Sequence, residues 1–281
     1  MHTGISTACL YPAQIEDSLQ TLLELGFDRF EFFINTFSEL EPAFVRGLAR
    51  SLRAYGATAK SLHPFTSGYE SFLLFSGYER RFEDALEFYK RYFEAAGLLG
   101  ASILVLHGQR IEKAGDMDAA AYYEHYHRLY QLGQRFGITV AQENVNRFRS
   151  SSPEFLAGMR RYLHGACAFV LDIKQAVRAG EDPYQTCAAM GERLVHVHIN
   201  DHAPGESCLL PGRGVTDYAR LMRQLAALGF PGDLIIEVYR QNFSGGSDLL
   251  QAKGYVESLQ KRFETAGQQG WGLASNPQLM V

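Results

Sequence analysis

The chain has 281 residues, 46% of them hydrophobic and 21% charged, the balance of a globular protein able to bury a full core. Lys and Arg number 27 against 31 Asp and Glu, a net charge of −4 with no long basic run. Nucleic acid is therefore excluded as an expected partner, because neutralising phosphates needs clustered positive charge. Cys9, Cys167, Cys187 and Cys208 lack CxxC spacing, and neither a leader pattern nor a membrane-spanning run is present. The predicted setting is the reducing cytoplasm, with no membrane contact.

From the N-terminus onward one punctuation recurs: an amphipathic segment, a glycine, then a short β-branched or aromatic run. Leu25-Gly26 stands before Phe30-Glu31-Phe32-Phe33, Tyr55-Gly56 before 58–62, and Leu99-Gly100 before Ile103-Leu104-Val105-Leu106. Phe136-Gly137 before Ile138 and Leu228-Gly229 before Leu234 complete the series. Glycine accepts the left-handed conformation that closes a helix, so each site reads as helix end followed by strand start.

Strands are predicted near Ile5, Phe30, Ala59, Ile103, Thr139, Phe169, Val195 and Ile235. Helical patterns between them cover 13–25, 39–55, 80–99, 119–136, 153–163, 183–191, 216–228 and 248–265. Eight alternating units predict a single-domain (β/α)8 TIM barrel over 1–266, with an open doubly wound sheet as the rival. Polar residues collected at so many strand ends favour the barrel. Two stretches break the rhythm: 64–77, with Phe65, Tyr69, Phe72 and Phe75, and the Gly/Pro-containing loop 201–214. Both are expected on the catalytic face. Residues 267–281 lack periodicity and read as a C-terminal tail.

Four runs end in a metal-type ligand: 138–144 in Glu143, 168–172 in Asp172, 194–202 in His198, and 234–237 in Glu237. Burying a carboxylate beside Val and Ile is costly unless a cation compensates it. In a barrel the C-terminal strand ends share one pocket, so three anionic oxygens and one imidazole would converge on a divalent cation. His196 alternates with His198 on the same strand face and reads as its support from one layer below. Glu31, at the exit of the second strand, reads as a contact for substrate hydroxyls.

The segments Gln142-Glu143-Asn144, Leu171-Asp172, His196-Val197-His198-Ile199-Asn200-Asp201 and Ile236-Glu237 resemble the strand ends of the xylose-isomerase-like TIM-barrel superfamily. It includes sugar isomerases, ketose 3-epimerases, inosose dehydratases, hydroxypyruvate isomerase and apurinic endonucleases, and the resemblance spans about 4–265. It implies that Glu143, Asp172, His198 and Glu237 ligate one divalent ion, manganese first, with magnesium, cobalt and zinc as alternatives. It also implies that Glu143 and Glu237 form a proton-transfer pair. The implied activity is isomerisation or epimerisation of a small carbohydrate, polyol or keto-acid through an enediolate, with a dehydratase or lyase, or a non-catalytic sugar-binding subunit, as alternatives.

Departures from the family pattern shape the remaining readings. Where members often carry a histidine three residues after the strand-six aspartate, this chain has Gln175, which bonds hydroxyls but carries no proton. Lys174 reads as a donor to a substrate carboxylate, phosphate or carbonyl, or else as a solvated lysine opening a helix. The endonuclease branch needs an Asp-x-His pair that 206–214 lacks; His63 and His107, at the third and fourth strand ends, then read as substrate contacts. Arg213 resembles a loop arginine that touches substrate, with Arg240 and 244–247 as weaker candidates. His125 and His127 read as surface, and aromatic-rich helices with the tail suggest a homodimer or homotetramer.

Overall fold

Val, Ile, Leu and Phe recur in most of eight short runs that are largely buried on both faces, the pattern of parallel strands covered by helices. The computed structural model describes residues 1–112 and 117–268. The strands are β1 (Thr3–Ser6), β2 (Arg29–Phe33), β3 (Thr58–His63), β4 (Ile103–Leu106), β5 (Thr139–Glu143), β6 (Phe169–Asp172), β7 (Leu194–Ile199) and β10 (Leu234–Ile236). They close into a barrel in that order, β10 pairing back onto β1, and every pairing is parallel. The doubly wound alternative is thereby excluded. Between β7 and β10 lies an antiparallel hairpin of β8 (Asp201–Ala203) and β9 (Glu206–Leu209).

The surrounding helices are α1 (Ile15–Glu24), α2 (Pro42–Ala54), α3 (Glu70–Leu73), α4 (Glu79–Leu99), α5 (Ala119–Arg135), α6 (Pro153–Tyr162), α7 (Ile173–Ala179), α8 (Pro183–Met190), α9 (Tyr218–Ala227) and α10 (Gly246–Gln268). All five glycines read as helix stops have positive φ, 82° at Gly26 and 81° at Gly100 among them. Two helices escaped the periodicity. α7 is only seven residues long, and it starts at once after β6 because the Asp172 carboxylate accepts from the Gln175 amide and caps it. α3 is a single turn inside the aromatic stretch. The proposed tail from 269 onward lies outside the described residues.

The main core packs the outward strand faces against the helices. Inside the barrel the filling is slight: Val105, Ala141, Ala168 and Val170 form a separate small cluster. By strand alternation Ala141 and Val170 share their faces with Glu143 and Asp172. Polar layers lie nearer the mouth, and register fixes their neighbours. Asp172 pairs with His198, and His198 with Ile235, two residues before Glu237. No helix among the described residues is long and apolar enough to cross a membrane.

Candidate metal centre and active site

Ligand atoms of Glu143, Asp172, His198 and Glu237 all lie within 4.8 Å of one another. They come from the ends of consecutive strands, β5, β6, β7 and β10. Glu143, Asp172 and His198 are at most 1% exposed, whereas the Glu237 side chain retains 13% exposure.

His198 joins two layers. Its Nδ1 faces the carboxylates, 3.1 Å from Glu143 Oε1, 3.5 Å from Glu237 Oε2 and 3.7 Å from Asp172 Oδ2. Its Nε2 lies 2.9 Å from Glu31 Oε2, so the ring is oriented by a carboxylate behind it, as ligating histidines commonly are. Burial pushes the imidazole toward neutrality, but the surrounding acids outweigh it and hold His198 well above the ordinary histidine range. A divalent ion on Nδ1 would take the place of that proton.

Glu31 accepts at the same Oε2 from Ser61 Oγ at 2.8 Å and lies 3.2 Å from His196 Nε2. Burial pushes its carboxyl up, yet His198 and His196 hold it well below the usual range. It is fully buried, with Oε2 on these three partners and Oε1 without a hydrogen-bond partner, and its geometry toward His198 is that of a positioning residue. His196 occupies the same lower layer, its ring 5.3 Å from that of His198, as its alternation implied.

On the neighbouring side Glu143 Oε2 lies 3.0 Å from His107 Nε2 and 3.8 Å from His63 Nε2, and the two imidazole nitrogens are 2.9 Å apart. Burial raises Glu143, but His107, His198 and His63 together hold it well below the carboxylate range. Of the two histidines, His63 is raised, because Glu143 outweighs the burial that opposes its charge, whereas burial lowers His107. The same carboxylate thus favours the charged form of His63, while burial favours the neutral form of His107. His63 also stacks on Phe33, with centroids 4.7 Å apart. Both histidines therefore stand at the mouth, His107 the more open at 19%.

Lys174 is buried, not solvated: it is 2% exposed, with Nζ 2.6 Å from Glu237 Oε2 and 3.1 Å from Asp172 Oδ2. Burial opposes its charge, but Asp172 and Glu237 hold it well above the ordinary lysine range. Asp172 is raised by burial and lowered more strongly by Lys174 and His198. Gln175 is turned to structure, its Oε1 accepting from the Asn146 amide at 3.2 Å. Arg213 is directed at α10, pairing with Asp248 at 2.6 Å, and is not part of the cluster. Arg240 donates to the Phe243 carbonyl. His125 is half-buried, its Nδ1 2.7 Å from the Leu74 carbonyl oxygen and its ring stacked on Phe82; the surface reading gives way to a clamp on the aromatic stretch. Phe75 stacks on Tyr122 in the core, Phe65 packs on Phe37, and Phe72 is 46% exposed.

Two residues of the resembling segment, Asn200 and Asp201, carry supporting roles that sequence reasoning did not assign, and a third, Glu70, escaped it. Asn200 donates from Nδ2 to Asp172 Oδ1 at 3.1 Å, fixing the oxygen that also caps α7. Asp201 accepts from the amides of His202, Gly212, Gly214 and Thr216 at 2.9–3.1 Å and so ties down the loop bearing the hairpin. Glu70 accepts from Tyr89 Oη at 2.9 Å and from the Gly108 amide at 2.5 Å. Burial, stronger than these hydrogen bonds and the influence of His63, pushes it up to about 8. The available signal was that Glu70 is the sole charged residue between Pro64 and Gly77.

The donor set fits a divalent ion. Glu143 Oε2 and Asp172 Oδ2 are buried without a hydrogen-bond partner; the nearby His107 and Lys174 nitrogens stand at ion-pair distance but off hydrogen-bond geometry. Such atoms are costly unless something positive meets them. Three carboxylates with one imidazole suit magnesium, manganese or zinc.

Residues 19–263 match the family model described as xylose isomerase-like TIM barrel. An uncharacterized protein of Mycobacterium tuberculosis is 28% identical over 256 residues, 84% of this chain and 88% of the relative. The 3-dehydro-D-guloside 4-epimerase of Escherichia coli K12 is 23% identical over 256 residues, covering 84% and 92%. Among solved structures, the IOLI protein with a bound zinc atom superposes with a TM-score of 0.75 at 15% identity, covering 94% of this chain and 99% of that one.

Proposed function

The chain belongs to the xylose isomerase-like TIM-barrel family, and from that premise we propose that it is a divalent-metal-dependent isomerase or epimerase of a small carbohydrate or keto-acid. The observation that carries this reading is the convergence of Glu143, Asp172, His198 and Glu237 within 4.8 Å. The named epimerase relative supports a carbohydrate substrate, and the zinc-bearing neighbour supports a divalent ion; manganese is the ion to test first. Four free, buried cysteines accord with a reducing, cytoplasmic setting.

Glu143, Asp172, His198 and Glu237 would hold the ion. Bound there, it would act as a Lewis acid on a carbonyl and its neighbouring hydroxyl, acidifying the carbon-bound hydrogen between them. Glu143, kept anionic by its three histidines, is the base that removes that proton. Glu237, at the opposite end of the ligand series and partly exposed, returns a proton to the enediolate on the other face. His63 and His107, beside Glu143, donate to substrate hydroxyls, and Glu31 keeps His198 in register.

The test is incubation of manganese-loaded protein with ketoses and keto-acids in deuterated water. Incorporation of solvent deuterium at carbon, lost in Glu143→Gln, supports the reading. Exchange that persists in that variant, or an unsaturated product without exchange, contradicts it.

A further inference from the structure

Lysine is among the side chains least often buried unless paired. Lys174 is buried at the second position after a ligand strand, with Nζ 2.6 Å from Glu237 Oε2 and 3.1 Å from Asp172 Oδ2. Both carboxylates belong to the four-residue cluster that fits a divalent ion. An ammonium and a divalent ion would then draw on the same two carboxylates, and two cations so close repel strongly in a site shielded from water. The centroid of the Tyr239 ring lies 5.2 Å from Nζ, with the Arg178 guanidinium 5.0 Å from the same centroid, and an aromatic face that already attracts one cation is an alternative neighbour for an ammonium.

Resting on the metal-centre reading above, we propose that Lys174 is a tethered counter-ion: it pairs with Asp172 and Glu237 while the divalent ion is away and yields toward Tyr239 when the ion enters. Two consequences follow. The carboxylates stay gathered without metal, because a positive charge already compensates them. The ion binds more weakly than the four ligands alone would bind it, since entry must break two ion pairs and accept a cation nearby. Lys174 is thus a positioning residue whose charge sets ion affinity.

Chelator-stripped full-length protein is titrated with manganese, the free ion being read by electron paramagnetic resonance, for the wild type, Lys174→Met, Lys174→Gln and Lys174→Arg. The two neutral variants are expected to bind manganese at least about tenfold more tightly. Lys174→Arg, which keeps the charge, should stay within about threefold of wild type. In chelator the neutral variants should melt below the wild type and recover more than it does on manganese addition, and this also reports on a variant that folds only with metal. Unchanged or weaker binding by both neutral variants beside a metal-binding wild type overturns the role of Lys174 and leaves the metal centre standing. Absence of saturable binding in all four proteins overturns both.

Discussion

Two glutamates are sealed from solvent in the same barrel mouth, Glu70 in the stretch after β3 and Glu143 at the end of β5. Glu70 accepts from the Tyr89 hydroxyl and the Gly108 amide, and burial outweighs these and the more distant His63, pushing it up to about 8. Glu143 is just as buried, but His107, His198 and His63 lie against it and hold it well below the carboxylate range. Burial alone neutralises an acid; burial among imidazoles keeps it an anion. The half of the mouth built from β5, β6, β7 and β10 is therefore where negative charge gathers, and the loop after β3 is a wall.

Four substitutions test that division. The largest effect is expected from Glu143→Gln, which removes the proton acceptor while keeping the shape: deuterium exchange should fall about a thousandfold, with circular dichroism unchanged. A drop of less than tenfold would move the base elsewhere. Glu31→Gln removes the anion behind His198 Nε2. Manganese affinity, measured by calorimetry, should weaken about 10–100-fold, and an unaltered affinity would show that His198 needs no such support.

Glu70→Gln probes the wall through pH. The folded carboxyl, raised from 4.5 to about 8, keeps a proton that the unfolded chain has already released in that window. Its burial therefore costs stability progressively as pH rises from 4.5 to about 8. The variant carries no such cost, so its unfolding free energy relative to wild type should rise by about 1 kcal/mol per pH unit between pH 5 and 8. Parallel denaturation curves across that range would mean Glu70 is ionised in the fold.

The smallest effect is expected from Arg213→Ala. Its partner is Asp248 on α10, and the arginine side chain is 42% exposed; such pairs contribute under about 1 kcal/mol. Activity should stay within about twofold of wild type. A large rise in KM would instead bring Arg213 to the substrate.

The barrel was legible because its signals are local and repeated: a glycine stop after each of five helices, and apolar runs ending in a polar residue. The four cluster residues were legible because strand ends in a barrel share one pocket, so position along the chain translates into position in space. What stayed hidden depended on direction and partner. Lys174 has the composition of a surface residue, and only the turn into α7 carries its ammonium to Asp172 and Glu237. Glu31 looked like a mouth residue because a strand exit says nothing about depth; the register of β2 against β3, shifted between Phe30 and Glu31, accompanies its placement beneath His198. Arg213 was read from its loop, yet the Asp201 carboxylate ties that loop back and Asp248 takes the guanidinium. Glu70 lay in a stretch whose aromatic residues suggested packing alone.

The central claim is that four side chains from consecutive strands hold one divalent ion. Crystals of the full chain soaked in manganese and measured at the manganese absorption edge test it most directly. An anomalous peak bounded by Glu143, Asp172, His198 and Glu237, with the Lys174 ammonium moved off Glu237, is the result expected. A map without a peak there, with Lys174 still bridging Asp172 and Glu237, would contradict it.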